Sequence, residues 1–236
     1  MIQTELFETP VPAAGAALSR VVRPAASPQL AQLYELSVNA FSAAVHAEMS
    51  ELPIKNVISR YIEKVLEAGQ KTRDGKLADD RAAAEAAASD RGDPDVLTVL
   101  KTAGKVRHEV HRMTGFLRFN HTTDGVYTAR CSPDYFILPA LAEHFTLRFG
   151  ETPWAIIDEK RKLCLCRKKG GRVMLSRAEE ASETPAALAE EKDHRDFWED
   201  LWRLYHHSIN NESRKNISLQ RQFMPERYRK YLTELQ

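Results

Sequence analysis

The sequence predicts an α+β fold: a small antiparallel sheet in the order strand, strand, helix, strand, strand, covered by helices, with helical flanks at both ends. Three observations carry that expectation. The run Ile54, Val57, Ile58, Tyr61, Ile62, Val65, Leu66 repeats at helical spacing and puts seven apolar residues on one face. The period changes to two after Gly115, and a second pair of short apolar runs follows a helix closed by Gly150.

Residues 1–30, with Pro10, Pro12, Pro24 and Pro28 among alanines, read as an extended or disordered lead-in. Residues 31–92 form a helical region. Its last part, 69–92, lacks large apolar residues after Leu77 and reads as a linker or a short exposed helix. Asp93 is placed to cap a helix whose first residue is Pro94, and Gly115 offers a left-handed stop after Met113. The buried stripe of that helix is Val96, Leu100, Ala103, Val106, Val110 and Met113.

Two strands follow, FLRFN at 116–120 and VYTARC at 126–131, joined by a turn through Asp124-Gly125. A helix then runs through Leu138, Leu141, Ala142, Phe145 and Phe149. The second strand pair is PWAIID at 153–158 and KLCLCR at 162–167, with Glu159-Lys160-Arg161 as its turn. The acidic segment 178–193 reads as a loop. A last long helix begins near Asp193 and sets Phe197, Trp198, Leu201, Trp202, Tyr205 and Ile209 on one face, expected to be core-facing. Residues 93–236 thus make the α+β core, with a C-terminal helix and a basic tail.

The 236 residues, 43% hydrophobic and 28% charged, have the make-up of an ordinary globular protein. Cys131, Cys164 and Cys166 are too few and too unevenly spaced for a disulfide framework, so a reducing cytoplasm is expected. No apolar stretch approaches the ~18 residues of a membrane span, and none is expected. The net charge of +1 conceals a segregation. Residues 106–177 hold 13 Lys/Arg against 7 Asp/Glu, and residues 201–236 hold 7 against 3, whereas 178–200 hold 2 against 9. Two basic blocks separated by an acidic one are compatible with a polyanion-binding face or with a solvated surface.

Three stretches carry a family likeness: VLKTAGKVRHEVHRMTGFLRF at 99–119, ILPALAEHFTLRFGETPWAIIDEKRK at 137–162 and RKNISLQRQFMPERYRKYLTE at 214–234. Over about residues 40–236 the chain resembles a bacterial family of domains of unknown function, number 4130, whose members carry DNA-metabolism and DNA-repair descriptions. The resemblance implies a radical SAM protein with a helix-hairpin-helix element as companion; some relatives are fused to a uracil-DNA-glycosylase-like domain. The family pattern falls on Glu109, His111, Arg112, Gly115, Phe116, Arg118 and Phe119, then on Pro139, His144, Phe145, Arg148, Phe149, Trp154, Asp158 and Arg161. In the third stretch it falls on Asn216, Phe223, Met224, Pro225, Arg227, Tyr228, Tyr231 and Glu234. The aspartate-glycine-rich opening strand of the pattern is absent here, and Arg229 stands where an aromatic residue is usual.

Three functional classes remain in view, the third of them a purely structural adaptor. The first is a DNA repair or modification accessory protein that binds nucleic acid, expected to be DNA, or presents substrate to the radical SAM partner. Its phosphate-contacting candidates are Arg112, Arg118, Arg148, Arg161, Arg214, Arg221 and Arg227, since guanidinium groups among apolar neighbours need fixed anionic partners. Taken singly, each of these arginines is expected to sit in a structural ion pair; as a group, with the basic tail from Arg214 to Lys230, they are compatible with a phosphate-binding surface. The second class is a nucleic-acid-acting enzyme using Glu109, His111, His144 or Asp158 as acid-base groups; the first three converge near Arg118 if both helices cover one sheet face, and otherwise His111 and His144 are separate core histidines. His108 and His111 lack a third ligand at metal spacing, and phosphate-loop, dinucleotide and radical SAM cysteine motifs are missing; no metal and no cofactor are expected.

Overall fold

A computed structural model describes residues 27–73, 76–122, 125–178 and 197–232. The chain divides into two compact units, Met1–His111 with Asp134–Glu143, and Arg112–Pro133 with His144–Gln236. Residues 1–26 of the expected lead-in and residues 179–193 of the expected acidic loop lie outside the described residues, whereas residues 28–30 are not extended but open the first helix, where Pro28 suits a first-turn position.

The first unit is mainly helical. Helix α1 (Pro28–Leu36) and α2 (Val38–Glu48) meet at Ser37, whose hydroxyl accepts the Ala40 N–H at 3.0 Å and donates to Glu85. Helix α3 (Lys55–Gly69) buries Ile58, Tyr61, Val65 and Leu66, four of the seven residues of the apolar run. Within 69–92 the chain forms a hairpin, β1 (Gln70–Arg73) with β2 (Lys76–Asp79), and then helix α4 (Arg81–Ser89). That helix is not exposed all round: Ala84 and Ala88 are buried. Ala84 packs close to Gly69 at the end of α3. A Cβ at Gly69 would stand 2.9 Å from Leu36 and 3.1 Å from Ala84.

Asp93 caps α5 (Pro94–Phe116) as expected, accepting the N–H groups of Asp95 at 2.8 Å and Val96 at 3.2 Å. The α5 start is tied to α3 by a fork from Arg60 to Asp95, at 2.9 and 2.7 Å, and by Lys64 to Asp93 at 2.6 Å. His46 is buried on α2, its Nδ1 2.6 Å from the Ser42 carbonyl, and burial lowers its pKa. Neutral His46 is therefore favoured in the folded unit. Because the folded pKa lies below the unfolded value, stability is complete above about pH 6.5 and falls as the pH drops through that value toward the folded pKa. We expect a His46→Gln variant to flatten the decline of melting temperature between about pH 7 and 5; an unchanged slope would refute the assignment.

The second unit holds the sheet, in strand order β3 (Asn120–His121), β4 (Tyr127–Cys131), β5 (Trp154–Asp158), β6 (Leu163–Arg167) and β7 (Val173–Arg177). The α+β class is correct, and the strand order follows the expectation with one strand added. The sheet is not wholly antiparallel. β4 and β5 pair in parallel because α6 (Leu138–Phe149) connects them as a crossover, while the other three pairs are antiparallel.

Two local expectations are overturned. FLRFN does not form a strand over 116–120: α5 runs on through Gly115 to Phe116, the Leu117 N–H still bonds the Met113 carbonyl at 3.1 Å, and only Asn120 enters the sheet. Gly115 does not have a positive φ, and Gly125 and Gly150 do, at 77° and 55°. The physical reason is that Leu117 is buried and Phe116 packs on Tyr228 at 5.6 Å, which rewards helical continuation. The strand β7 escaped the sequence reading altogether, because VMLSR has no clean alternation.

Aromatic packing fixes α6 on one sheet face. Phe145 meets Trp154 at 6.3 Å, Phe149 stacks on Tyr127 at 4.9 Å, and Phe119 lies 5.0 and 4.8 Å from Phe145 and Phe149. The opposite face buries Ala155, Ile157, Cys164 and Cys166 as one cluster. The C-x-C pair therefore serves the core.

The C-terminal region comprises α7 (Phe197–Ile209), a short 3₁₀ turn (Glu212–Arg214), α8 (Ile217–Phe223) and α9 (Glu226–Arg229). The expected core-facing stripe of α7 is a correction: Leu201, Trp202, Tyr205 and Ile209 are exposed. Helical periodicity identifies an apolar face and says nothing of what covers it.

Candidate nucleic-acid interface

The proposed acid-base residues divide by environment. Glu109 is 0% exposed in the first unit, and its two carboxylate oxygens accept the N–H groups of Asp134 and Tyr135, both at 2.9 Å. It holds the start of the segment leading into α6. Asp158 is equally buried in the second unit. Its Oδ1 accepts the N–H groups of Lys160 at 2.9 Å and Arg161 at 3.2 Å, and its Oδ2 accepts Arg161 Nη1 at 2.9 Å. This side chain builds the β5–β6 turn, in which Lys162 takes a φ of 55°. His111 and His144 are exposed. The pKa of His144 is lowered, first by partial burial and then by Arg148 one turn further along α6.

The arginines also divide. Arg161 is a structural cation, its side chain 10% exposed and its Nη1 bonded both to Asp158 and to the Pro133 carbonyl at 3.1 Å. Arg112 and Arg227 flank one ring, with guanidinium carbons 6.0 and 4.8 Å from the centroid of buried Tyr228. Those contacts, with Phe116, seat the C-terminal tail on the end of α5. A second anchor is Glu159, which accepts the Tyr231 hydroxyl at 2.6 Å and Lys230 at 3.1 Å. Burial and that bond push the Tyr231 phenol up to about 12. Arg148, Arg214 and Arg221 are exposed.

Arg118 differs from all of these. Its Nη1 donates to the Gly115 carbonyl at 2.7 Å, which fixes the guanidinium 5.8 Å from the ring of Trp202. Trp202 lies 5.8 Å from Tyr205, and the two are 41% and 52% exposed. A held cation beside two exposed aromatic rings can offer both a phosphate contact and stacking faces. Sequence reasoning named Arg118 but assigned Trp202 to the core, since nothing basic interleaves the aromatic stripe along α7 itself; the cation comes from the end of α5. Trp198 has no described side chain.

Among the described residues, no group of three or more His, Cys, Asp or Glu side chains is placed to hold a metal ion, and no helix is long and apolar enough to cross a membrane. Cys131, Cys164 and Cys166 are buried thiols outside any disulfide, and the Cys131 Sγ–H donates to the Ile157 carbonyl at 3.5 Å.

The fold and these surfaces define an α+β domain whose second unit carries exposed cations and aromatic residues. The chain belongs to the family described as Domain of unknown function (DUF4130), whose model matches residues 54–234. No curated protein and no solved structure matched it.

Proposed function

We propose that this protein is a cytoplasmic accessory factor of DNA repair or modification that binds nucleic acid, DNA in the first place, and presents it to a radical SAM partner. The observation that carries the binding is the set formed by Arg118, Trp202 and Tyr205, where a fixed guanidinium stands beside exposed rings. Exposed Arg148, Arg214 and Arg221 supply charge of the right sign on the same unit. The radical SAM partner rests on the company its family keeps, and the three cysteines of this chain, Cys131, Cys164 and Cys166, do not have the close spacing of a radical SAM cysteine motif. Binding is preferred to acid-base catalysis because the Glu109 and Asp158 carboxylates are occupied by backbone donors.

Fluorescence anisotropy with labelled single-stranded and duplex DNA tests the reading. Binding is expected to be tolerant of sequence and to weaken steeply between about 50 and 200 mM salt, as counterion release requires. The Trp202→Ala/Tyr205→Ala pair is expected to weaken single-strand binding about tenfold or more, at ~1–3 kcal/mol per stacked base, without a lower melting temperature. Absence of binding to either DNA at low salt would overturn the proposal.

A further inference from the structure

The turn between β6 and β7 reads Lys168-Lys169-Gly170-Gly171-Arg172, three cations with no carboxylate among them. All three charged side chains are exposed, yet the turn beneath them is tightly built. Gly170 takes a φ of 65°, the Gly171 N–H bonds the Lys168 carbonyl at 2.9 Å, and a Cβ at Gly171 would stand 3.2 Å from that carbonyl oxygen. Only glycine suits this backbone without displacement.

Beneath the turn lies Arg167, the last residue of β6, its side chain 8% exposed. Its Nε donates to the Gly171 carbonyl at 2.9 Å, its Nη1 to the Gly150 carbonyl, and its Nη2 lies 3.4 Å from Glu151. One guanidinium thus clamps the hairpin tip to the turn that ends α6. Burying a charge is costly unless its donors are met, and here acceptors from two loops meet them. A clamp of this kind is not required to close a two-stranded turn, which its own backbone bond already closes. What it adds is a fixed position for Lys168, Lys169 and Arg172. Arg148, another exposed cation, stands two residues before the clamped Gly150.

We infer that the β6–β7 hairpin tip is a phosphate-contacting element, in which Lys168, Lys169 and Arg172 hold the phosphodiester backbone of nucleic acid without reading its bases. The inference rests on the proposed nucleic-acid binding and adds a contact element to it. Lysines act on phosphate as point charges, which suits sequence-independent positioning. Holding the tip rigid lowers the ordering cost of each contact.

The test is the salt dependence of binding to a labelled single strand of about 20 nucleotides. Each phosphate contact contributes about 0.7 to the log–log salt slope for single strands, so K168Q/K169Q/R172Q is expected to flatten the slope by about 2. Affinity at 50 mM salt should fall by about tenfold or more. A control that removes the same charge elsewhere, K55Q/R91Q/K101Q, should leave the slope near the parental value. Should the triple variant melt early, the single K169Q and R172Q variants repeat the measurement, each expected to flatten the slope by about 0.7. A parental protein that binds no DNA would defeat both readings. Parental binding with an unaltered slope in the hairpin variant, or an equal loss in the control, would overturn the hairpin alone. Inorganic tripolyphosphate displacing the strand at equal phosphate concentration would reassign the tip to free polyphosphate.

Discussion

Replacing Glu109 by Ala is expected to cost about 3 kcal/mol of stability and to lower the melting temperature by roughly 6–12 °C. Glu109 is fully buried, and each carboxylate oxygen serves a backbone N–H, those of Asp134 and Tyr135. The alanine variant leaves two donors without their acceptor, and an unmet donor costs about 1–3 kcal/mol. Glu109→Gln keeps one carbonyl acceptor in place and should lose about half as much. Thermal melts of both variants decide the matter. If Glu109→Ala melted within a degree of the parent while complementation in cells was lost, the acid-base role would return and the structural one would fail.

How much of this was legible beforehand differs by level. The helices α3, α5 and α6 were readable because their apolar spacing, the cap at Asp93 and the stop at Gly150 act locally. The parallel pairing of β4 with β5 was not, because it depends on where the α6 crossover returns the chain. Phe116 illustrates the limit within a few residues. Its strand-like neighbours suggest alternation, and the contact with Tyr228, more than a hundred positions later, makes helical continuation the better choice.

The candidate site shows the same division. Residue types alone could not separate Arg161, consumed by Asp158 and the Pro133 carbonyl, from Arg118, which faces an exposed ring. Arg167 went unnoticed at the end of a hydrophobic strand, although the Gly-Gly turn four residues on was a usable signal. Charge segregation pointed to the 106–177 block, and only packing tells which of its cations remain at the surface.

The Asp158–Arg161 pair should give the larger loss. With Asp158→Ala, Arg161 stays almost buried and retains the Pro133 carbonyl but loses its carboxylate, while the N–H groups of Lys160 and Arg161 lose their acceptor. Breaking a buried pair from one side typically costs about 3–5 kcal/mol, because the remaining charge is uncompensated. Removing both charges at once, Asp158→Asn with Arg161→Met, should cost less than Asp158→Ala alone, since the asparagine oxygen can still accept from the turn and no buried cation is left. Chemical denaturation of the two variants reads this ordering directly. A double variant at least as unstable as Asp158→Ala would mean that the ion pair is not the source of the loss. Retained DNA affinity in the folded double variant is the companion expectation, since a guanidinium engaged by Asp158 and Pro133 is not available to a phosphate. Loss of affinity in that variant, with the fold intact, would return Arg161 to the binding surface.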